Sequence, residues 1–472
     1  MKKIVCATCI AICMASMNLS AQVQEGSFPL IVNNFAKETF ADSQIYITSI
    51  GNDGGWFWCD SLGIPHPNNA ADKNAPGHLV KNGQNYPNYS IRLTSAKNMR
   101  VPPKVGGGRI FISCPEPMYV QFPDPNNPND PTNDIYYDWF EYTYIYNSLQ
   151  FGGNTTQVDI FGLPITARVY QQAGTGIAKT YDDSCGIHMA RDSIMARFNR
   201  MSAPFLGCIK PYRVVAPRSS GQFGTGGAYV DFMKPYVDSL WTLWSITQCV
   251  FMNGTQRFTI DVNAATGILT FGGAGSGTMT KPSTQEVWSN TGTRFPGYAG
   301  AAFSAALCRG VARNGAWWYD STTYYKKSAY KSEFAEILHE ISINHKAYGF
   351  GYDDNNNQSS VLIIGNPKPL TSLTLNLQPF VTCPGCVPTV VPVGKSIASR
   401  SAIRCLADGR IVLANAGLVE NVSVIALNGK TVVKNAMVNN NVLNMKNLAG
   451  GAYYVKVKDK MGNVSTAKVF KR

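Results

Sequence analysis

The stretch "DWFEYTYIYNSLQFGGNTTQVDIFGLPI", residues 138–165, has the composition of two strands around a turn. Past its leading Asp138 each arm carries one acid, Glu141 and Asp159. Strand alternation puts Trp139, Glu141, Thr143 and Ile145 on one face, with Phe140, Tyr142, Tyr144 and Tyr146 on the other. A turn centred near Gln150 sets Glu141 opposite Asp159, and a two-residue slip makes them diagonal neighbours, with side-chain bases roughly 7 to 8 Å apart. Like charges paired across a hairpin are unfavourable, so a role needing both acids is implied. Glycoside hydrolysis has such a need, because one carboxyl protonates the leaving oxygen while the other, ionised, acts on the sugar or on a water. A separation of about 5 to 5.5 Å serves direct attack with retention, and about 6.5 to 9.5 Å admits a water and inverts the anomer. Neighbouring aromatic rings suit both partners, because they desolvate an acid and offer flat faces to sugar rings. The alternative is that both acids merely support an edge strand or a turn.

The elements that must position this pair are mostly strands. Short β-like runs separated by Gly, Asn and Pro turns fill the chain from residue 28, and "SVLIIG" (360–365) and "SLTLNL" (372–377) close that pattern. Between them "KPYVDSLWTLWSIT" (234–247), "PGYAGAAFSAALCRGVAR" (296–313) and "KSEFAEILHEIS" (331–342) repeat apolar residues at helical spacing. The order predicts a mainly β fold with a mixed α/β portion at roughly 180–345, enclosed by the first and last strands of one module spanning 22–377. Residues 378–399 are rich in proline and read as a linker; 400–472 alternate strands with NG, GG and MGN turns, predicting a small β-sandwich of about seven strands.

The start of the chain, Lys2 and Lys3 before an apolar run and "NLSA", reads as a signal peptide over 1–21, which implies export and a secreted or cell-surface protein. No later stretch is apolar enough for a membrane span. Three of the twelve cysteines leave with that leader. Nine in so long a chain is sparse and odd, so disulfides are not expected to hold the fold and at least one thiol stays free or buried. The formal charge of +13 is localised: residues 395–472 carry thirteen Lys and Arg against three acids. With only Tyr453, Tyr454 and Phe470 as aromatics, that tail lacks the aromatic-lined basic groove of a nucleic-acid binder.

The motifs "FEYTY", "NTTQVDIFGLPI", "YRVVAPRSS", "YVDFMKPYVDSLWTLW" and "ILHEISINHKAYGFGYDDNNNQSS" resemble, in this order, those of family 64 glycoside hydrolases, over residues 28–377. That resemblance implies an endo-acting, inverting β-1,3-glucanase of laminarin-type glucans. It further implies a thaumatin-like β-barrel facing a mixed α/β domain across a groove, with Glu141 as general acid and Asp159 as base. It also implies sugar contacts for Thr143, Trp139, Tyr352 and Asp353, with no metal or organic cofactor. The ending "GAYYVKVKDKMGNVSTAKVFKR" resembles type IX secretion sorting domains, implying outer-membrane secretion machinery as a partner; an immunoglobulin-like accessory module is the alternative. A thaumatin-like module that binds β-glucan without cleaving it, or a structural surface protein, is the competing function.

Other signals carry less. His339 and His345 lie six apart, on different faces of a helix, so "HEISINH" is no metal motif and His339 reads as packed. Cys383 and Cys386 form a CxxC with neither a βαβ setting nor a second CxxC, and read as a local disulfide or spare thiols. The glycine runs at 106–108 and around 224 lack a phosphate-binding context.

Overall fold

The computed structural model describes residues 23–365 and 368–382, and beyond them the strands and a few neighbouring positions between 404 and 471. The leader and the CxxC of the linker lie outside the described residues. The chain divides into two compact units, residues 1–393 and 394–472.

In the first unit an eight-stranded sheet includes, in spatial order, Leu362–Ile364, Leu149–Asn154, Tyr136–Ile145, Lys104–Cys114, Tyr46–Asn52, Trp56–Cys59 and Pro65–Pro67. A five-stranded sheet holds Tyr181–Gly186, Ile165–Gln171, Ser372–Leu377, Phe28–Asn34 and Arg100–Val101. Its first and last strands in sequence run side by side and parallel, Leu30 opposite Leu373, so the enclosure expected from the order of segments is present. Phe28, Phe140, Tyr142, Tyr144, Phe151, Val169 and Leu375 from the two sheets form one buried cluster. The period of two thus sends Phe140, Tyr142 and Tyr144 inward and leaves Glu141 and Thr143 on the opposite face.

The enclosed portion packs a four-stranded sheet, Cys249–Asn253, Gln256–Val262, Leu269–Gly273 and Thr278–Met279, with helices that include Lys234–Trp244, Gly297–Cys308 and Glu333–Ile341. Local chemistry starts the last of these: the Ser332 hydroxyl caps it by accepting from the Ala335 N–H, and Glu333 and Glu336 sit in its first turn, where the helix dipole favours acids. Cys59, Cys114, Cys185, Cys208, Cys249 and Cys308 are all buried free thiols. Among the described residues of the second unit, seven strands form an antiparallel three-stranded sheet and an antiparallel four-stranded sheet. Among the described residues no helix is long and apolar enough to cross a membrane.

Candidate active site

Glu141 lies near the middle of the Tyr136–Ile145 strand, but Asp159 is not in the arm that pairs with it. The partner arm runs Leu149–Asn154, and Glu141 stands directly opposite Asn154. The turn falls at residues 146–148, with Asn147 in the left-handed region at φ +60°, earlier than the expected turn centred near Gln150. Asp159 follows on the segment between Asn154 and the short strand Ile160–Phe161, so the expected cross-strand pairing, direct or diagonal, does not occur.

Other bonds tie the Asp159 segment to neighbouring elements. The Asp159 backbone carbonyl accepts from Ala216 N–H, and two residues earlier Gln157 N–H donates to Tyr348 C=O at 2.9 Å. On its other side Gly162 N–H and Leu163 N–H donate to one carboxylate oxygen of buried Asp138, on the strand that carries Glu141. A Cβ at position 162 would collide with the Tyr137 carbonyl, so only glycine allows this approach. The Tyr348 hydroxyl is pushed up to about 12 by burial, with added charges that include Glu141. Tyr348 therefore meets Asp159's segment through its backbone and Glu141's field through its ring.

The two acids share one design. Glu141 Oε2 is approached by Arg109 Nε at 3.6 Å and by the Trp139 indole N–H at 3.4 Å. Asp159 Oδ1 is approached by Arg218 Nε at 3.5 Å and by the Ser219 hydroxyl at 3.3 Å. Each carboxylate thus has one oxygen held by a guanidinium and a neutral donor, while Glu141 Oε1 and Asp159 Oδ2 have no partner among the described residues. Both side chains remain partly exposed, 44% for Glu141 and 36% for Asp159, so reactants can reach the free oxygens.

Two expected sugar contacts are engaged elsewhere. Trp139 is 3% exposed, with the Arg109 guanidinium over its ring and Phe111 beside it, so its face is covered and its N–H serves Glu141. Asp353 is fully buried, bonded to Arg309, His339 and Gly349 N–H, which leaves no exposed oxygen for a sugar. Thr143 is partly exposed and donates to Gly106 C=O, keeping acceptor capacity, and Tyr352 is half-buried. His339 is packed against Asp353, as its spacing implied. Arg109, Arg218, Ser219 and Asp138 were not singled out by spacing, although "APRSS" contains two of them.

Burial raises the Asp138 carboxyl from 3.8 to about 7, partly offset by its backbone N–H donors and Arg213. A carboxyl raised in the fold lends stability that is complete below the unfolded value and is lost as pH rises through the folded one. Asparagine does not titrate. The stability of Asp138→Asn relative to the parent is therefore expected to improve by about 4 kcal/mol from about pH 4 to above pH 7, measured by urea unfolding across that range.

A family model described as β-1,3-glucanase, glycoside hydrolase family 64, matches residues 27–374. The chain belongs to that family. A second model, a secretion system C-terminal sorting domain, matches residues 408–472. Among solved structures the chain is similar to a family 64 β-1,3-glucanase domain from Clostridium beijerinckii, at 26% identity and a TM-score of 0.67, covering 76% of this chain and 99% of that one. It is also similar to the laminaripentaose-producing β-1,3-glucanase of Paenibacillus barengoltzii complexed with laminarihexaose, at 29% identity and a TM-score of 0.60, covering 78% and 79%. No curated protein matches the chain.

Proposed function

We propose that this family 64 member is an exported endo-β-1,3-glucanase that cleaves laminarin-type glucans to oligosaccharides by single displacement. Glu141 gives its proton to the departing glycosidic oxygen, and Asp159 takes a proton from the water that attacks the anomeric carbon from the opposite face. The matching construction of the two acids carries this reading: each has one oxygen tethered and one free. Tethering fixes the carboxyl plane, and the free oxygen is the one that can exchange a proton. Arg109 with Trp139 orients the acid, and Arg218 with Ser219 orients the base. Thr143 and Tyr352 are proposed to contact sugar hydroxyls beside them.

The sorting-domain match and the leader-like residues 1–21 support passage across the inner membrane and then through outer-membrane secretion machinery to the surface or medium. The laminaripentaose production named for the Paenibacillus relative supports an oligosaccharide product. The test is a laminarin digest followed by proton NMR from its first minutes. New reducing ends are expected to appear first as the α anomer. An initial β anomer would overturn single displacement, and no soluble sugar would overturn the glucanase reading as a whole.

A further inference from the structure

The face of the large sheet that carries Glu141 continues past Arg109 to an aromatic pair at the sheet's far side. Glu141 pairs with Arg109, and Gly107, two residues before it and so on the same face, pairs with Asn52. Asn52 in turn pairs with Trp56. Trp56 thus shares the Glu141 face, three strand spacings across and two residues along, or about 16 Å away. Between them Gly106 and Gly107 form a bulge opposite Thr143, and a Cβ at Gly107 would meet nothing within 4 Å, so the floor there is open. Trp56 is 41% exposed and Phe122 is 50% exposed, their rings in edge contact with centroids 4.6 Å apart.

Neither ring is a loose surface side chain. Trp56 is fixed in a strand, and the loop bearing Phe122 is clamped to the sheet by a reciprocal amide pair, Asn68 Nδ2 to Gln121 Oε1 at 2.6 Å and Gln121 Nε2 to Asn68 Oδ1 at 3.1 Å. Leaving two large rings rigid and wet has a cost that a ligand face recovers. Resting on the glucanase reading, we propose that Trp56 and Phe122 are a distal sugar platform that holds the same β-1,3-glucan chain beyond the residues at the cleavage point. The open glycine floor lets the polysaccharide lie across the sheet from Thr143 to the platform, and the flat rings take the apolar face of a glucose unit.

The platform engages only substrates long enough to span from Glu141 to Trp56. Trp56→Ala with Phe122→Ala is expected to raise KM for laminarin about tenfold with kcat little changed, and to leave kcat/KM for the shortest cleavable oligosaccharide near the parent's. Unchanged KM on laminarin, or an equal loss on both substrates, overturns the proposal. Retardation of the non-cleaving Glu141→Gln protein in laminarin-containing native gels reads the platform without turnover, so it separates this proposal from the catalytic one. Adding Trp56→Ala and Phe122→Ala should abolish most of that retardation. Undiminished retardation, with or without a dimer-to-monomer change in light scattering, would assign the rings to something other than glucan.

Discussion

Glu141→Gln is expected to lower laminarin hydrolysis by about 10³-fold while leaving laminarin binding intact, because the variant keeps the shape and the Arg109 and Trp139 contacts but has no proton to give. Asp159→Asn is expected to fall as far, for the opposite reason: the attacking water loses its acceptor. Comparing both on a substrate with an activated leaving group assigns the roles. A β-1,3-oligosaccharide carrying a dinitrophenyl aglycone leaves without protonation, so Glu141→Gln should recover most of its rate on it and Asp159→Asn should recover none. Azide added to Asp159→Ala should restore turnover with an α-glycosyl azide as product, since a small anion needs no base and enters by the route of the lost water. If both variants cut laminarin like the parent, neither acid is catalytic; if the recovery pattern is reversed, the two roles are exchanged.

The face on which Glu141 lies was readable from the sequence, and its partners were not. A period of two fixes which residues of "WFEYTY" share a side, and the strand does bury Phe140 and Tyr142 while exposing Glu141 and Thr143. Register depends on the turn, and the turn sits earlier than the expected centre near Gln150. Gly152 and Gly153, close to the expected centre at Gln150, both lie within the returning strand. Gly153 is there because a Cβ would run into the Phe140 ring, so this glycine answers packing and not chain reversal. The turn itself is made by Asn147, whose side chain tolerates the left-handed region. One early turn shifts every pairing, which is why Glu141 faces Asn154 while Asp159 lies on the segment beyond that strand. The helices were legible because apolar spacing and a serine cap act locally, as at Glu333–Ile341. Arg218 and Ser219 lie some 60 residues from Asp159, and nothing local announces such contacts.

Asp353 shows the same limit and supports the second large effect. Arg309, 1% exposed on its side chain, donates to Asp353 Oδ1 at 3.0 Å and to the Asn355 carbonyl, and its guanidinium lies over the Tyr324 and Phe350 rings. His339 Nε2 sits 3.0 Å from the second Asp353 oxygen, and Gly349 N–H also donates to it. This cluster joins the helix Glu333–Ile341 and the residue after Gly297–Cys308 to the loop at 347–357. That loop carries Tyr348, whose carbonyl holds Gln157 near Asp159. Burial by itself would raise the Asp353 carboxyl, but His339, Arg309 and Gly349 N–H together hold it below its ordinary 3.8. A depressed carboxylate lends stability present above the unfolded value and lost as pH falls through the folded one, so acid should weaken this cluster below about pH 4. Asp353→Ala leaves a buried guanidinium uncompensated and is expected to cost about 3 to 5 kcal/mol of unfolding free energy at neutral pH, read by urea denaturation. Arg309→Met with Asp353→Leu removes both charges and should recover much of that loss. Because Arg309 and Asp353 are buried away from solvent, a folded double variant that binds laminarin as the parent does but turns it over more slowly would support a path from the core through the Tyr348 loop to Asp159. A single Asp353→Ala variant as stable as the parent would remove the cluster from any account of how Asp159 is held.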